Sequence, residues 1–327
     1  MQKSGSCLYQ TSAAGLPALK KSITRLGEIV IHAANNRLQQ TLAGPVKLSG
    51  PGLFHGIHAH LRLLPADANS GITFCRTDLA DTPTVAGRHD YVLKAPRRTV
   101  LGLTEDQPLV ETIEHIMAAL SGLRVDNCRI EIDAPEIPSF DGSSRVFCDA
   151  ILETGIQQLS APLKLINTAQ QVVQYGSGGQ SLILRPYMKP LLAVTWHLNY
   201  GPRAAIPAQM YSAEVTPDIF VHEIAAARTF VLESEITALK QMGYGKHLTN
   251  KDLLVCANNG NWNNRLRWPD ECVRHKLLDC IGDLALSGIA IGGHVSAVRS
   301  GHKLNHQLAA KVSQLTDDNG EQLPSAA

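Results

Sequence analysis

The stretch RHKLLDCIGDLALSG, residues 274–288, reads as one amphipathic helix and sets His275, Asp279 and Asp283 four residues apart. At about 100° per residue these three side chains fall within roughly 80° of one another, while Leu277, Leu278, Ile281 and Leu284 gather on the opposite arc. Taken alone, such a stripe is a solvated face, because His and Asp at this spacing occur on many exposed helices. A second stretch, ETIEHIMAAL at 111–120, has apolar residues at helical spacing too, and it carries Glu114 and His115 side by side.

Working outward from the two stretches gives the organisation of the chain. From about residue 40, short β-rich runs (QTLAGPVKLSG, AHLRLLPA, GITFCRTD, TVAGRHDYVL) lead to a helix predicted over about 111–121 and stopped by Gly122. CRIEIDA then reads as a strand, and SSRVFCDAILETG as a helix after the turn PSFDG. After a break marked by Pro162 the order returns: strands at LKLI, QQVVQY, SLILRPY and LLAVTWHL, a helix near 217–227, the opening helix at about 270–286, the strand HVSAVRS, and a last helix from 302. Both halves end in helix, strand, helix. The expected fold is therefore α+β with two lobes of like topology, at 38–160 and 163–315. Residues 1–37 form an extension outside them, and 316–327 a polar tail expected to be disordered.

Composition narrows the function. The chain has 327 residues, of which 44% are hydrophobic, enough for substantial cores. Thirty basic against twenty-nine acidic residues leave a formal charge of +1, so no global field argues for nucleic acid or an anionic membrane. Seven dispersed cysteines without a CxxC pair suit reduced thiols and offer no thiolate metal site; Cys280 reads as a small packing residue. No apolar run reaches the roughly 18 residues of a membrane span. A cytoplasmic location is expected, or an organellar one if the Lys- and Ser-bearing residues 1–37 are a transit peptide.

If the equivalent helices of two like lobes face each other, His115 meets His275 and Asp279. Two His and one Asp leave a coordination position open, as a catalytic zinc requires, and the same set suits ferrous iron. Glu114, next to a ligand without being one, is a candidate general base, although Glu on an exposed helical turn is ordinary. RSGHKLNH places Gly301 and His302 at a strand-to-helix junction. There His302 falls within reach of Asp283, which would orient it and favour its charged form; His294 and His306 are the competing imidazoles.

Five stretches in register, ETIEHIMAALSGLRVDN, APEIPSFDGSS, ARTF, VRHKLLDCIGDLALSG and SGHKLN, closely resemble the UDP-3-O-acyl-N-acetylglucosamine deacetylases, metal-dependent hydrolases of the committed step in lipid A synthesis. The resemblance implies two similar two-layer lobes, each a small, mostly antiparallel sheet packed with helices, with the active site between them and an apolar passage for the acyl chain. It implies His115, His275 and Asp279 as ligands of a zinc (or ferrous) ion, and Glu114 as general base. Thr229 would polarise the acetamide carbonyl, and His302, backed by Asp283, would serve as acid. Phe230, Glu235, Lys276 and Gly301 would be substrate contacts. The implied partner is a UDP-linked acyl amino sugar, taken by a monomer. A noncatalytic binder of UDP-acyl-sugars is the alternative.

Two places depart from the family pattern. GLFHG at 52–56 puts Phe54 where the family has His, with His55 one place later, so either the local register adjusts or a polar contact is lost. YGKHLTNKDLLVC at 244–256 replaces most of a Gly-rich turn, so a different turn geometry is expected there.

Overall fold

The computed structural model describes residues 29–249 and 252–317. The chain opens with β1 (Ile29–Leu42), followed by β2 (Val46–Pro51), β3 (His58–Pro65), β4 (Ile72–Arg76), β5 (Thr84–Ala86), β6 (Val92–Leu93), β7 (Val100–Thr104) and β8 (Gln107–Glu111). Helix α1 (Glu114–Gly122), β9 (Cys128–Ile132) and α2 (Arg145–Thr154) complete the first half. The second half runs β10 (Ile156–Thr168), β11 (Val172–Tyr175), β12 (Ser181–Arg185), β13 (Leu192–Leu198), β14 (Gln209–Glu214) and a helical turn α3 (Pro217–Ile219) that continues to Ile224. It ends with β15 (Phe230–Leu232), α4 (Glu233–Gln241), β16 (Leu254–Cys256), α5 (Glu271–Ala285), β17 (Ala290–Val298) and α6 (His302–Asp317).

The architecture is α+β. The first half builds a sheet in the order β2-β3-β9-β4-β5 and a three-stranded sheet β6-β7-β8; the second builds β1-β10-β17-β12-β11, with β13 and β14 attached through β17, and a small β15-β16 pair. Most pairings are antiparallel; β4 with β9, β10 with β17, β13 with β17 and β15 with β16 are parallel. Burial alternates along β3 as the period of a strand demands, with Ala59, Leu61 and Leu63 inward. Each half does close with helix, strand, helix: α1-β9-α2 and α5-β17-α6.

Helices α1 and α5 form the seam between the halves. Nearly every side chain of α1 is buried, so it is an internal helix rather than a surface one. Gly282 on α5 lies so close to α1 that a Cβ there would sit 2.0 Å from the Glu114 carbonyl oxygen. The solvated-stripe reading of α5 is thereby overturned: His275, Asp279 and Asp283 are at most 3% exposed, covered by the facing helix.

Several boundaries differ from the sequence reading. Residues 29–37, placed in the extension, belong to β1, which pairs antiparallel with β10 from Ile29 opposite Thr168 to Leu42 opposite Ile156. The break expected at Pro162 is strand: Pro162 sits opposite Leu38 between two register shifts, where the ladder is already interrupted and a missing N–H costs little. The two halves are thus joined through a shared sheet instead of a linker. Helix α1 starts at Glu114, not 111, because Glu111 is held in β8 and Thr112 takes a left-handed turn at φ +60°. Gly122 does not terminate it by its conformation; Arg124 holds the left-handed position that ends the helix. Gly122 instead lets the Phe220 ring approach, which a Cβ would meet at 2.3 Å. Residues 1–28 and 318–327 lie outside the described residues, and with them most of the extension and the tail. Among the described residues no helix is long and apolar enough to cross a membrane.

Candidate active site

Where α1 meets α5, His115 from the first half and His275 and Asp279 from the second converge. The His275 Nε2 lies 3.3 Å and the His115 Nε2 3.6 Å from Asp279 Oδ1, and one ligand atom from each of the three falls within 4.8 Å of the others. His275 donates from Nδ1 to the Ala227 carbonyl at 3.0 Å, which leaves Nε2 free to ligate, and burial pushes its pKa down to about 3, keeping the imidazole neutral. Asp279 is held well below the ordinary carboxylate range: burial opposes its charge, but the charged Lys276, with Nζ 3.0 Å from Oδ2, and the charged His302 outweigh it. Its Oδ1 is buried and has no hydrogen-bond partner. An anionic oxygen left bare between two imidazoles is the arrangement a metal cation completes, so the donor set fits one.

Asp283, His302 and His306 make a second cluster of similar size. Both Asp283 oxygens are already saturated: Oδ1 accepts from the Thr99 hydroxyl at 2.6 Å and faces His306 Nε2 at 3.2 Å, and Oδ2 accepts from His302 Nδ1 at 2.8 Å and Asn305 Nδ2 at 2.9 Å. It has no lone pair to spare, so it orients its neighbours and holds no metal. Burial disfavours a charged His302, yet Asp283 prevails and lifts its pKa to about 9. His302 Nε2 then points toward Asp279, 3.9 Å away.

Glu114 is 3% exposed, and burial raises its pKa against the pull of His302 and His115. Its Oε2 accepts the Thr99 amide proton at 3.0 Å. Thr99 therefore grips Glu114 with its backbone and Asp283 with its side chain.

A cleft of about 560 Å³ opens over this cluster. Glu114, His115, Thr229, Phe230, Glu235, His275, Lys276, Asp279, Gly301 and His302 all line it, and Asp283 lies behind His302, out of the cleft. Lys276 stands 5.6 Å over the Phe230 ring, and Phe230 is edge-on to His275 at 6.3 Å. Glu235 is committed within the protein: it pairs with Arg97 and accepts from the Leu232 amide at 3.2 Å. Gly301 has nothing within 4 Å of where a Cβ would be, and its carbonyl caps α6 by accepting from Leu304 and Asn305. Apolar residues from the loops, from β15 and from α4, among them Leu53, Leu232, Leu239, Leu248 and Leu253, extend the cleft away from the charged cluster.

The two departures from the family pattern touch each other here. Phe54 keeps its place on the cleft wall, edge-on to Tyr244 at 5.2 Å and under the Arg98 guanidinium at 4.4 Å. His55 turns away to Glu111, 3.2 Å off, while the amides of both residues donate to Glu136. His55 does not line the cleft, and an aromatic face stands at that point of the wall. In the turn, Gly243 and Gly245 still adopt left-handed conformations, and the Gly245 amide donates to the Phe54 carbonyl at 3.1 Å.

Sequence reasoning passed over Thr99 and Asn305, and it weighed His306 only as a competitor of His302. The spacing of His302 and His306, four apart on α6, was a usable signal; nothing in RRTV marks Thr99.

Two helices that bring two imidazoles, one bare carboxylate oxygen and a buried Glu to the floor of an interlobe cleft define a metallohydrolase. The family model for UDP-3-O-acyl N-acetylglycosamine deacetylase (LpxC) matches residues 39–314. Similar chains include UDP-3-O-acyl-N-acetylglucosamine deacetylases of Myxococcus xanthus, 36% identical over 84% of this chain and 86% of the relative, and of Nostoc sp., 37% identical over 85% and 99%. That of Actinobacillus succinogenes is 38% identical over 83% and 88%. By its length of match and its fold, the chain belongs to this deacetylase family.

Proposed function

We propose that the protein hydrolyses the N-acetyl group of UDP-3-O-acyl-N-acetylglucosamine, releasing acetate and leaving a free 2-amino group, as the committed step of lipid A synthesis in the cytoplasm. The observation that carries the reading is the unpartnered Asp279 Oδ1 between His115 and His275 beneath the cleft. Those three residues would hold zinc, or ferrous iron, which supplies a Lewis acid to the acetamide oxygen and lowers the pKa of water there.

The chain's own residues account for the proton traffic. Glu114, whose raised pKa makes it a better base than an exposed carboxylate, takes a proton from the attacking water. The Thr229 hydroxyl, on the cleft wall, donates to the carbonyl oxygen as it gains charge. His302, kept protonated by Asp283, delivers a proton to the departing nitrogen, without which an amide nitrogen is a poor leaving group. Lys276 adds positive charge and anchors Asp279. Phe230 and Gly301 bound the sugar's position, Glu235 fixes that wall through Arg97, and the apolar extension takes the acyl chain. A monomer suffices, because both halves of the cluster come from one chain.

The test is acetate release from UDP-3-O-acyl-N-acetylglucosamine by purified protein, with and without a chelator, beside Glu114→Gln. Metal-restorable release that the variant lacks supports the reading. No release by folded, metal-loaded protein across several acyl lengths overturns it.

A further inference from the structure

Asp283 is fully buried and meets donors on every side, and one of them, His306, has no part in the chemistry assigned so far. Burial opposes the charge on Asp283, but the protonated His302 beside it prevails and holds the carboxyl below its ordinary range, so both oxygens accept and neither donates. Thr99 has a single hydroxyl proton, and the 2.6 Å contact with Oδ1 uses it. The His306 Nε2 lies 2.9 Å from that hydroxyl oxygen and 3.2 Å from Oδ1. Neither oxygen has a proton to give, so Nε2 must carry its own and share it between the two. For the same reason His302 carries a proton on Nδ1, 2.8 Å from Oδ2, and turns its Nε2 toward Asp279.

The two imidazoles come from successive turns of α6, with ring centroids 6.1 Å apart, and they take opposite oxygens of one carboxylate on α5. Oδ2 is held by His302 and Asn305, Oδ1 by Thr99 and His306. A carboxylate gripped at one oxygen can swing about its Cβ–Cγ bond; donors at both oxygens fix its plane, and with it the direction in which His302 is aimed. His306 also governs the Thr99 hydroxyl. That rotor turns unless its oxygen is engaged, and the proton it accepts from His306 points its own proton at Asp283.

We propose that His306 is a positioning residue for the deacetylation: by donating from Nε2 to Thr99 and Asp283, it fixes the carboxylate that aims His302 at the departing nitrogen. His306 stands outside the cleft lining and acts through Asp283. The role rests on the deacetylation reading and on His302 as its acid.

Acetate release by metal-loaded His306→Leu and His306→Gln, beside the wild type, tests it, with Tm and metal content followed in each. Loss of the donor in His306→Leu lowers kcat about tenfold and leaves KM and metal content unchanged. The Gln carboxamide nitrogen reaches the place of Nε2 and restores about half or more of the wild-type kcat. In an Asp283→Asn background, where there is no carboxylate to fix, His306→Leu costs less than about twofold. Imidazole nitrogen NMR of the wild type reads the proton on His306 Nε2 directly, without turnover. Wild-type kcat in His306→Leu, the same loss repeated in Asp283→Asn, a Gln variant no better than Leu, or a His306 whose Nε2 lacks a proton overturns the role. So does a loss in His306→Leu that appears in KM, Tm or metal content rather than in kcat. No release by the folded, metal-loaded wild type fails the deacetylation reading itself, and the role with it.

Discussion

Thr99 and Asp283 meet across the α1–α5 seam in a 2.6 Å hydrogen bond, and the Thr99 amide holds Glu114 at 3.0 Å in the same stroke. One residue with no role in bond breaking thus fixes the spacing between the candidate base and the carboxylate behind the candidate acid. Thr99→Val keeps the shape and the amide but leaves Asp283 Oδ1 one donor short. A drop in kcat of about ten- to a hundredfold with KM little changed is expected, and Thr99→Ser restores most of it. Steady-state kinetics of the two variants check this; a Val variant with wild-type kcat removes Thr99 from the positioning role.

Metal content and turnover separate in the variants of the cluster. Asp279→Ala removes the bare oxygen, so it loses metal and activity together. Glu114→Gln retains the three ligands and loses on the order of a hundredfold or more in kcat. Elemental analysis beside acetate release distinguishes them, and a Glu114→Gln protein purified without metal would make Glu114 a ligand instead of a base.

The pH profile carries the sign of His302. Its pKa is raised to about 9, so the protonated form is complete at neutral pH and is lost as pH rises through that value. The alkaline limb of kcat should therefore fall at or somewhat below pH 9, since a bound cation next to Asp279 pulls the imidazole down. In Asp283→Asn the raising charge is gone and the limb moves to lower pH. An alkaline limb that stays put in Asp283→Asn assigns it to another group.

Gly282→Ala addresses the seam itself. The added Cβ would sit 2.0 Å from the Glu114 carbonyl oxygen, a backbone atom that cannot rotate away, so α1 and α5 must separate. Overpacking of this kind costs about 3 kcal/mol or more. Thermal unfolding reads the loss of stability directly; an unchanged Tm means that the helices have room to shift.

How much of this was legible in the sequence depends on what each feature needs. Helical periodicity marked α1 and α5, and the repeated helix-strand-helix ending marked the two halves, because both are local patterns of apolar residues. The span of β1 was missed although its first residues, Ile29, Val30 and Ile31, are apolar and β-branched, because the partner that fixes its extent, β10, lies more than 110 residues further along the chain. Pro162 misled for the same reason, since its tolerance comes from bulges in a pairing that the sequence does not display. In the site, His275 and Asp279 stood out by spacing, but their burial did not, because the cover is α1, more than 150 residues earlier in the chain. Thr99 had no signature, as its work is done by an amide and a hydroxyl that any surface Thr would also have. The seat of Phe54 beside Tyr244 likewise required two loops nearly 200 residues apart to be placed together.

The division of the three candidate ligands, with His115 on one side of the seam and His275 and Asp279 on the other, would make a metal held there a crosslink. Anything that binds across a joint favours the joined state, and the favour is returned in equal measure. Loosening the helices must then weaken the grip on the ion by the same free energy that removing the ion takes from the helices. Chelation should accordingly soften the whole molecule, and substitutions along the seam far from any ligand should register as lost metal.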